Sequence, residues 1–332
     1  MGASGTGRRR NVDLRGKAWD AMRTLVIINP TAGSGKAAAR WPSIAAQLTS
    51  ATGRFDHVFT ETPNHATMLA SRAAREGMER IIAVGGDGTA NEVTNGILAC
   101  RDTGAALPRL GVIPCGTGSD FCRSLGLKPD PAAAVARIAS GATRLIDVGI
   151  AQYTRISGVV ASRHFINIAT FGLSGQISCN LNNRAKVSAL PGPVRYLTET
   201  LRALASYRPP RMRITIDGKA IERGVYFAAV ANAKYFGGGM HIAPAALLDD
   251  GLFDIVILDA ISKWQLVRKI GKVYRGAHLN EPEITVLRGS HVIAETVIGE
   301  DAAMGLLDLD GEHSGMLRAE FRVLPKALRL SM

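Results

Sequence analysis

The segment GGDGTANE, residues 85–92, holds the densest set of groups able to do chemistry. It follows the apolar run RIIAV and precedes a helical pattern. Glycines let a backbone approach a polyphosphate closely and turn N–H groups toward its oxygens. A helix N-terminus at the same place adds partial positive charge. Asp87 is a hard oxygen donor that can act on Mg²⁺, directly or through water. The plainer reading is a strand-to-helix turn carrying an Asp-Gly pair. The phosphate site is favoured because open α/β sheets bind ligands at the carboxyl ends of their strands. Two other phosphate patterns fail. GSGKA at 33–37 lacks the earlier glycine and the final Ser/Thr of a Walker A loop, and no glycine loop completes GxGxxG. No histidine reads as catalytic: His65 and His241 read as local hydrogen-bonding residues.

The elements that must hold this loop alternate. Residues 23–29, 55–60, 80–84, 110–113 and 145–150 read as strands. Helical patterns at 36–48, from 64 to 76, after the glycine loop to about 100, and at 131–140 separate them. Asn64 and Ser119 stand where helix N-caps are expected. This grammar predicts a parallel sheet covered by helices on both faces. Beyond about residue 150, candidate strands adjoin one another: 165–170, 212–216, 224–231, 253–258, 283–286, 291–294 and 316–330. Asp217-Gly218 reads as a tight hairpin turn. An antiparallel, sandwich-like second domain follows, with helical insertions near 176–206 and 262–275. The division expected is a basic tail at 1–20, a nucleotide-binding domain at 21–150 and a β-sandwich substrate domain at 151–315.

Bulk composition is that of a globular enzyme. The chain has 332 residues, 46% hydrophobic and 20% charged, ample for packed cores. No apolar run approaches the length of a membrane-spanning helix, and the N-terminus lacks the apolar region of a secretory signal. Gly2 and Thr6 meet the letter of a myristoylation pattern beside Arg8, Arg9 and Arg10, but a plain basic tail explains them as well. The four cysteines, Cys100, Cys115, Cys122 and Cys179, form no CxxC pair, which fits free thiols in a reducing cytoplasm. A formal charge of +12 attracts polyanions. With no RNP-like or zinc-finger pattern, an anionic membrane or a phosphate substrate is favoured over nucleic acid.

GGDGT after a strand is shared by several kinase families, and the rest of the chain separates them. INPTAGSGK (28–36), GGDGTANEVTNGI (85–97), IPCGTGSDFCRSLGL (113–127), ANAKYFGGGMHIAPAALLDDGLFDIVIL (231–258) and LDGE (309–312) resemble, in order, the bacterial diacylglycerol kinase family, which includes sphingosine and ceramide kinases. The resemblance spans about residues 23–330. It implies an α/β nucleotide domain and a β-sandwich with the active site between them. It also implies that the C-terminal segment, 316–332, returns to the first domain. ATP is the implied phosphate donor, held by Thr60, Gly85, Gly86, Asp87, Gly88, Thr89, Ala90, Asn91 and Thr117. Asp87 organises Mg²⁺, with Asp120 and Asp147 in a polar network near it. A second Mg²⁺ is implied at the Asp250 carboxylate and the carbonyls of Leu247 and Leu252. From spacing alone that segment is an Asp-Asp-Gly turn. Glu312 is the implied general base, although Asp-Gly-Glu in isolation is a common hairpin tip.

The implied function is transfer of the γ-phosphate to a hydroxyl of diacylglycerol, ceramide, a sphingoid base or another amphiphile. The protein would be cytoplasmic and peripherally associated with a membrane, and a homodimer is possible. The competing readings are a kinase of a soluble hydroxyl compound such as NAD, and a non-catalytic lipid- or nucleotide-binding relative. Two basic stretches face the membrane question. Seven basic residues lie between Arg184 and Arg213, namely Arg184, Lys186, Arg195, Arg202, Arg208, Arg211 and Arg213. The pattern after Ser262 puts Trp264, Val267 and Ile270/Gly271 on one side, with Lys263, Arg268, Lys269, Lys272 and Arg275 around the rest. Such a helix either lies on an anionic interface or packs its apolar stripe on the sandwich.

Overall fold

A computed structural model describes residues 11–12, 18–19, 22–104, 106–184, 192–297 and 305–332. Most of the basic tail, with Gly2, Thr6 and Arg8 to Arg10, lies outside the described residues, as does Lys186. Two short strands, β1 (Asn11–Val12) and β2 (Ala18–Trp19), pair with each other. The alternating region follows as β3 (Thr24–Ile28), α1 (Lys36–Thr52), β4 (Asp56–Phe59), α2 (His65–Arg75), β5 (Arg80–Gly85), α3 (Asp87–Leu98), β6 (Arg109–Pro114), α4 (Asp120–Ser124) and α5 (Pro131–Ser140). The strands pair in parallel in the order β4-β3-β5-β6. β5 is buried at every residue, as a strand covered on both faces must be. One apolar cluster, with Ile27, Ile81, Val93 and Ile97, fills one face; another, with Val26, Ile82, Trp41 and Ile138, fills the other.

The second half runs through β7 (Thr143–Thr154), β8 (Val160–Phe165), β9 (Ile168–Gly172), α6 (Leu173–Arg184), α7 (Gly192–Ser206), β10 (Arg211–Ile216) and β11 (Lys219–Ala231). A two-residue ladder, β12 (Tyr235–Phe236) and β13 (Met240–His241), precedes β14 (Phe253–Asp259) and α8 (Lys263–Lys269). The chain ends in β15 (Ile284–Gly289), β16 (His291–Thr296), β17 (Leu306–Leu309) and β18 (Glu312–Ser331). Pairing here is antiparallel and runs round a circuit, β11-β10-β16-β18-β17-β9 and back to β11. Phe165 stacks on Phe253 and Phe171 on Phe321 inside it, at centroid distances of 5.5 and 6.1 Å. Asp217 and Gly218, at φ 44° and 84°, close the β10–β11 hairpin as the Asp-Gly pair predicts.

β18 joins the two halves. Its first half belongs to the circuit, and its end pairs with β7 and lies parallel to β6 at Leu330–Leu110. The structure departs from the expected elements in three places. The strand expected at 165–170 is two strands, because the backbone N–H groups of Ile166, Asn167 and Ile168 all turn to the carboxylate of Asp310. β7 continues to Thr154 and pairs with β8, whose mixed side chains show no clear alternation. Asn64 and Ser119 occupy their N-cap positions in the left-handed region, with no capping bond from either side chain.

Helices α2 and α3 touch through Gly96. A Cβ there would stand 2.4 Å from the Thr67 carbonyl oxygen and 2.6 Å from Ala70 Cβ. Gly96→Ala gains about 1 kcal/mol of helix propensity, but overpacking against backbone costs about 1–3 kcal/mol. We expect a lower urea midpoint at unchanged slope; an equal or higher midpoint would show that α2 can slide.

Candidate active site

Three glycine loops meet at the carboxyl end of the parallel sheet: the loop into α1, the loop from β5 into α3, and the loop from β6 into α4. A Cβ on Gly33 would stand 2.2 Å from the Cys115 carbonyl oxygen, and one on Gly116 2.5 Å from Gly86 Cα. Only glycine permits that approach. The loops border a cleft of about 380 Å³. Its walls include Asn29, Gly33, Gly86, Asp87, Gly88, Thr89, Glu92, Thr117, Asp120, Asn167, Gly238, Asp310 and Glu312. The GSGK loop that fails as a Walker A sequence therefore contributes wall all the same.

Asp87 joins two of these loops. Its carboxylate accepts the N–H groups of Asp120 and Phe121 at 3.0 and 3.1 Å, capping α4 in place of Ser119. Glu92 does the same for α2, accepting Asn64 N–H and Ala66 N–H. The acids of α3 thus replace the local caps that the sequence suggests. Burial raises the pKa of Asp87, against the two amide bonds that lower it. Asp120 continues the network, accepting Arg123 at 2.8 Å and Gly238 N–H at 2.7 Å. Asn29 donates to Thr89 Oγ1 at 3.2 Å.

The opposite wall is the hairpin between β17 and β18. Asp310 and Gly311, at φ 52° and 89°, make its tip. The half-buried Asp310 carboxylate accepts Ile166, Asn167 and Ile168 N–H at 2.8–3.0 Å and Asn91 Nδ2 at 2.7 Å. Glu312 then faces the glycine loop from β5 into α3, with Oε1 3.5 Å from the position of a Cβ on Gly88. Its other oxygen pairs with Arg163 at 2.8 Å. Arg163 also donates to Asn91 Oδ1 at 3.0 Å, so strand β8 is tied to α3 and to the hairpin together.

The cleft brings together Gly86, Asp87, Gly88, Thr89, Thr117, Asp120 and Glu312. Thr60, Gly85, Ala90 and Asn91 lie outside its lining. Asn91 is buried with its amide engaged by Asp310 and the His164 carbonyl. Asp147, fully buried, bonds away from Asp87: its carboxylate accepts Gly251 N–H and Lys326 N–H, at 2.6 and 2.7 Å. Arg163, Asn167 and Asp308 carry no motif of their own. Their signal is position, beside strands that approach the cleft from the other half. Cys115 is buried, which pushes its thiol pKa up and makes it a poor nucleophile. His65 accepts Glu61 N–H, and His241 stacks on Tyr235 at 4.3 Å.

The carboxylates suit hard cations in different ways. Both Asp87 oxygens already accept amides, so remaining lone pairs fit an ion through water. At the Asp250 turn, Leu252 N–H donates to one Asp250 oxygen and Arg288 meets the other. Asp254 Oδ2, beside them, is buried with no hydrogen-bond partner. An orphaned carboxylate oxygen next to Asp250 is donor chemistry that fits Mg²⁺, with Arg288 as the competing cation.

Asp308 is buried beside Asp310 and Glu312, and burial lifts its pKa to about 7. Burial lifts Asp310 as well, to about 6, against the Ile166, Asn167 and Ile168 amides that favour its charged form. Asp308 accepts Gly311 N–H at 2.8 Å and bonds Ser178. Its folded pKa lies above its unfolded value, so its contribution to stability is full below about pH 4 and lost as pH rises through 7. We expect the melting temperature to fall across that window. Asp308→Asn should flatten the slope, and an unchanged pH profile would place the proton elsewhere.

Comparison with known proteins agrees with this architecture. Residues 23–151 match the family model of the diacylglycerol kinase catalytic domain, and 169–332 that of the YegS C-terminal NAD kinase beta sandwich-like domain. The chain is 32% identical over 318 residues to a diacylglycerol kinase of Bacillus subtilis (strain 168), covering 93% of this chain and 96% of that one. It is 30% identical over 301 residues to a diacylglycerol kinase of Staphylococcus aureus (strain MRSA252), covering 90% and 89%. A crystal structure of a diacylglycerol kinase from Bacillus anthracis str. Sterne superposes with a TM-score of 0.71 at 26% identity, over 93% of this chain and 96% of that one. Yeast NADH kinase shares the fold alone, with a TM-score of 0.52 at 10% identity.

Proposed function

Since the chain belongs to the diacylglycerol kinase family, we propose that its cleft passes the γ-phosphate of ATP to a lipid hydroxyl with Glu312 as general base. Membership makes the chain a phosphotransferase with an alcohol acceptor, a lipid kinase with ATP as phosphate donor. One observation supports the finer role: Glu312 presents Oε1 to Gly88 of the phosphate loop from across the cleft, while Arg163 holds its other oxygen.

In this reading the amides of Gly86, Gly88 and Thr89, with the N-terminus of α3, hold the phosphates, and Thr117 borders them. Thr60, just past β4, contacts the nucleotide farther out. Mg²⁺, when bound, neutralises phosphate charge; Asp87 holds it near the loop, and Asp250 with the Leu247 and Leu252 carbonyls holds a second, structural ion. Asp120 keeps the α4 loop against Gly238, and Asp147 ties β7 to the 248–251 turn. The acceptor hydroxyl lies between Glu312 and the γ-phosphate. As its oxygen bonds to phosphorus and the bond to the β-phosphate oxygen breaks, Glu312 Oε1 takes the proton, and ADP and the lipid phosphate leave. Arg163 sets the angle of the carboxylate; it does not touch the reacting atoms. The nucleotide domain is residues 21–150 with 316–332, and the lipid domain is 151–315. The acceptor is a diacylglycerol, ceramide or sphingoid-like amphiphile met at a cytoplasmic membrane face.

Glu312→Gln keeps size but loses basicity, and should lower lipid phosphorylation by ~10²–10⁴-fold while ATP affinity stays almost unchanged. Full turnover would reduce Glu312 to a hairpin tip. Asp87→Asn should weaken both quantities, because one amide oxygen cannot cap α4 at two N–H groups as the carboxylate does. A calorimetric ATP titration and a radiolabelled transfer assay on one preparation separate the two effects. If Asp87→Asn bound and turned over ATP like the parent protein, the loop-joining role would be lost.

A further inference from the structure

The segment after β14 has two apolar faces, and folding uses one. Leu266 packs against the cluster of Leu173, Tyr207 and Tyr226, and Val273 against that of Phe236, Ile242 and Val256. Those contacts seat α8 and the 3₁₀ turn Ile270–Arg275 on the sandwich. The other face carries Trp264, Val267, Ile270 and Tyr274, which are 79%, 46%, 43% and 55% exposed. The stripe that the sequence allowed to be core is therefore outside, and Leu266 and Val273 do the packing. A tryptophan left in water on a helix already seated from behind is not explained by the stability of the fold.

The charges beside the stripe divide into two sets. Lys269 pairs with Glu281 and Glu283, and Lys272 with Glu281, so these two lysines fasten the segment to the residues before β15. Arg268 and Arg275 flank the stripe, on a chain of net charge +12. The longer basic stretch is a weaker candidate, because Arg202 pairs with Glu199, and Arg211 and Arg213 with Glu222. An apolar strip carrying an indole and bordered by arginine matches the boundary of an anionic bilayer, where apolar side chains enter the acyl region and cations meet headgroups.

We propose that the outward face of Trp264, Val267, Ile270 and Tyr274 is the surface by which this protein docks on an anionic lipid bilayer. The inference rests on the lipid-kinase reading for its purpose, and its test does not. Strand register puts Asp259, just before this segment, at the same end of the sheet as Gly224, Arg211 and Thr296. Thr154, where the β7–β8 hairpin leaves, lies at that end too. That hairpin tip exposes Ile156, Val159 and Val160, and serves as the control surface.

The test is co-sedimentation of the full chain with vesicles of equimolar phosphatidylglycerol and phosphatidylcholine, and with phosphatidylcholine alone. The parent protein should bind the first strongly and the second weakly. Trp264→Ser with Val267→Ser should weaken binding by roughly tenfold or more, and Arg268→Glu by a similar factor that shrinks in high salt. All these positions are on the surface, so melting temperatures should not move. A quencher on the lipid chains should dim parent fluorescence and leave Trp264→Phe undimmed. Ile156→Ser with Val159→Ser should bind as the parent does. If the helix variants bind like the parent, or the hairpin variant alone loses binding, the proposal is overturned. Turnover of detergent-dispersed diacylglycerol should survive in every variant. Its absence in the parent would sink the kinase reading and leave the docking surface standing.

Discussion

Withdrawing a carboxylate from water is costly unless donors meet it, and the two halves of this molecule are registered by carboxylates satisfied in that way. Asp310 is the central case. Three successive amides of the β8–β9 turn and the Asn91 amide converge on it, so the hairpin tip has one position it can hold. Glu312, two residues on, inherits that position opposite Gly88. Arg163 then fixes its orientation without filling the cleft. Placement of the proposed base is thus settled by backbone amides and not by packing of the glutamate itself.

Asp87 and Asp147 use the same chemistry at other seams. Asp87 links two glycine loops by capping a helix that is not its own. Asp147 links β7 to the turn at 248–251 and to the bend of β18 at Lys326, where φ is 51°. Asp87 ties two loops of the first half together, and Asp147, through Gly251 N–H, makes the first half depend on the second for charge satisfaction. The glycine loops and the hairpin that carries Glu312 therefore share a frame, which suits the proposed transfer between two substrates held from opposite sides.

Much of this was legible because it is local. The glycine loop, the alternation of β3 to β6, the Asp217-Gly218 turn and α5, with Asp130 capping Ala133 N–H, are each written in a few adjacent residues. What could not be read is long-range. Nothing around Arg163 says that it meets Glu312, and nothing around Asn91 says that its amide is spent on Asp310. Asn64 and Ser119 read as caps because local chemistry suits them, yet Glu92 and Asp87 reach those amides first. For residues 262–275, period alone picks out the Trp264 stripe and cannot say whether the sandwich covers it; that Leu266 and Val273 do the packing is a tertiary fact.

β18 has a consequence for synthesis. The last strand closes the circuit through β16 and β17, and also supplies a neighbour to β6 and β7. A chain emerging from a ribosome from its N-terminus therefore cannot finish either half before β18 appears. The parallel sheet waits with an uncovered edge at β6, and the sandwich waits as an open ring. Domains that mature one after another can be rescued separately by chaperones. Here both halves wait on the same strand, and loss of β18 leaves two unfinished edges instead of one truncated domain.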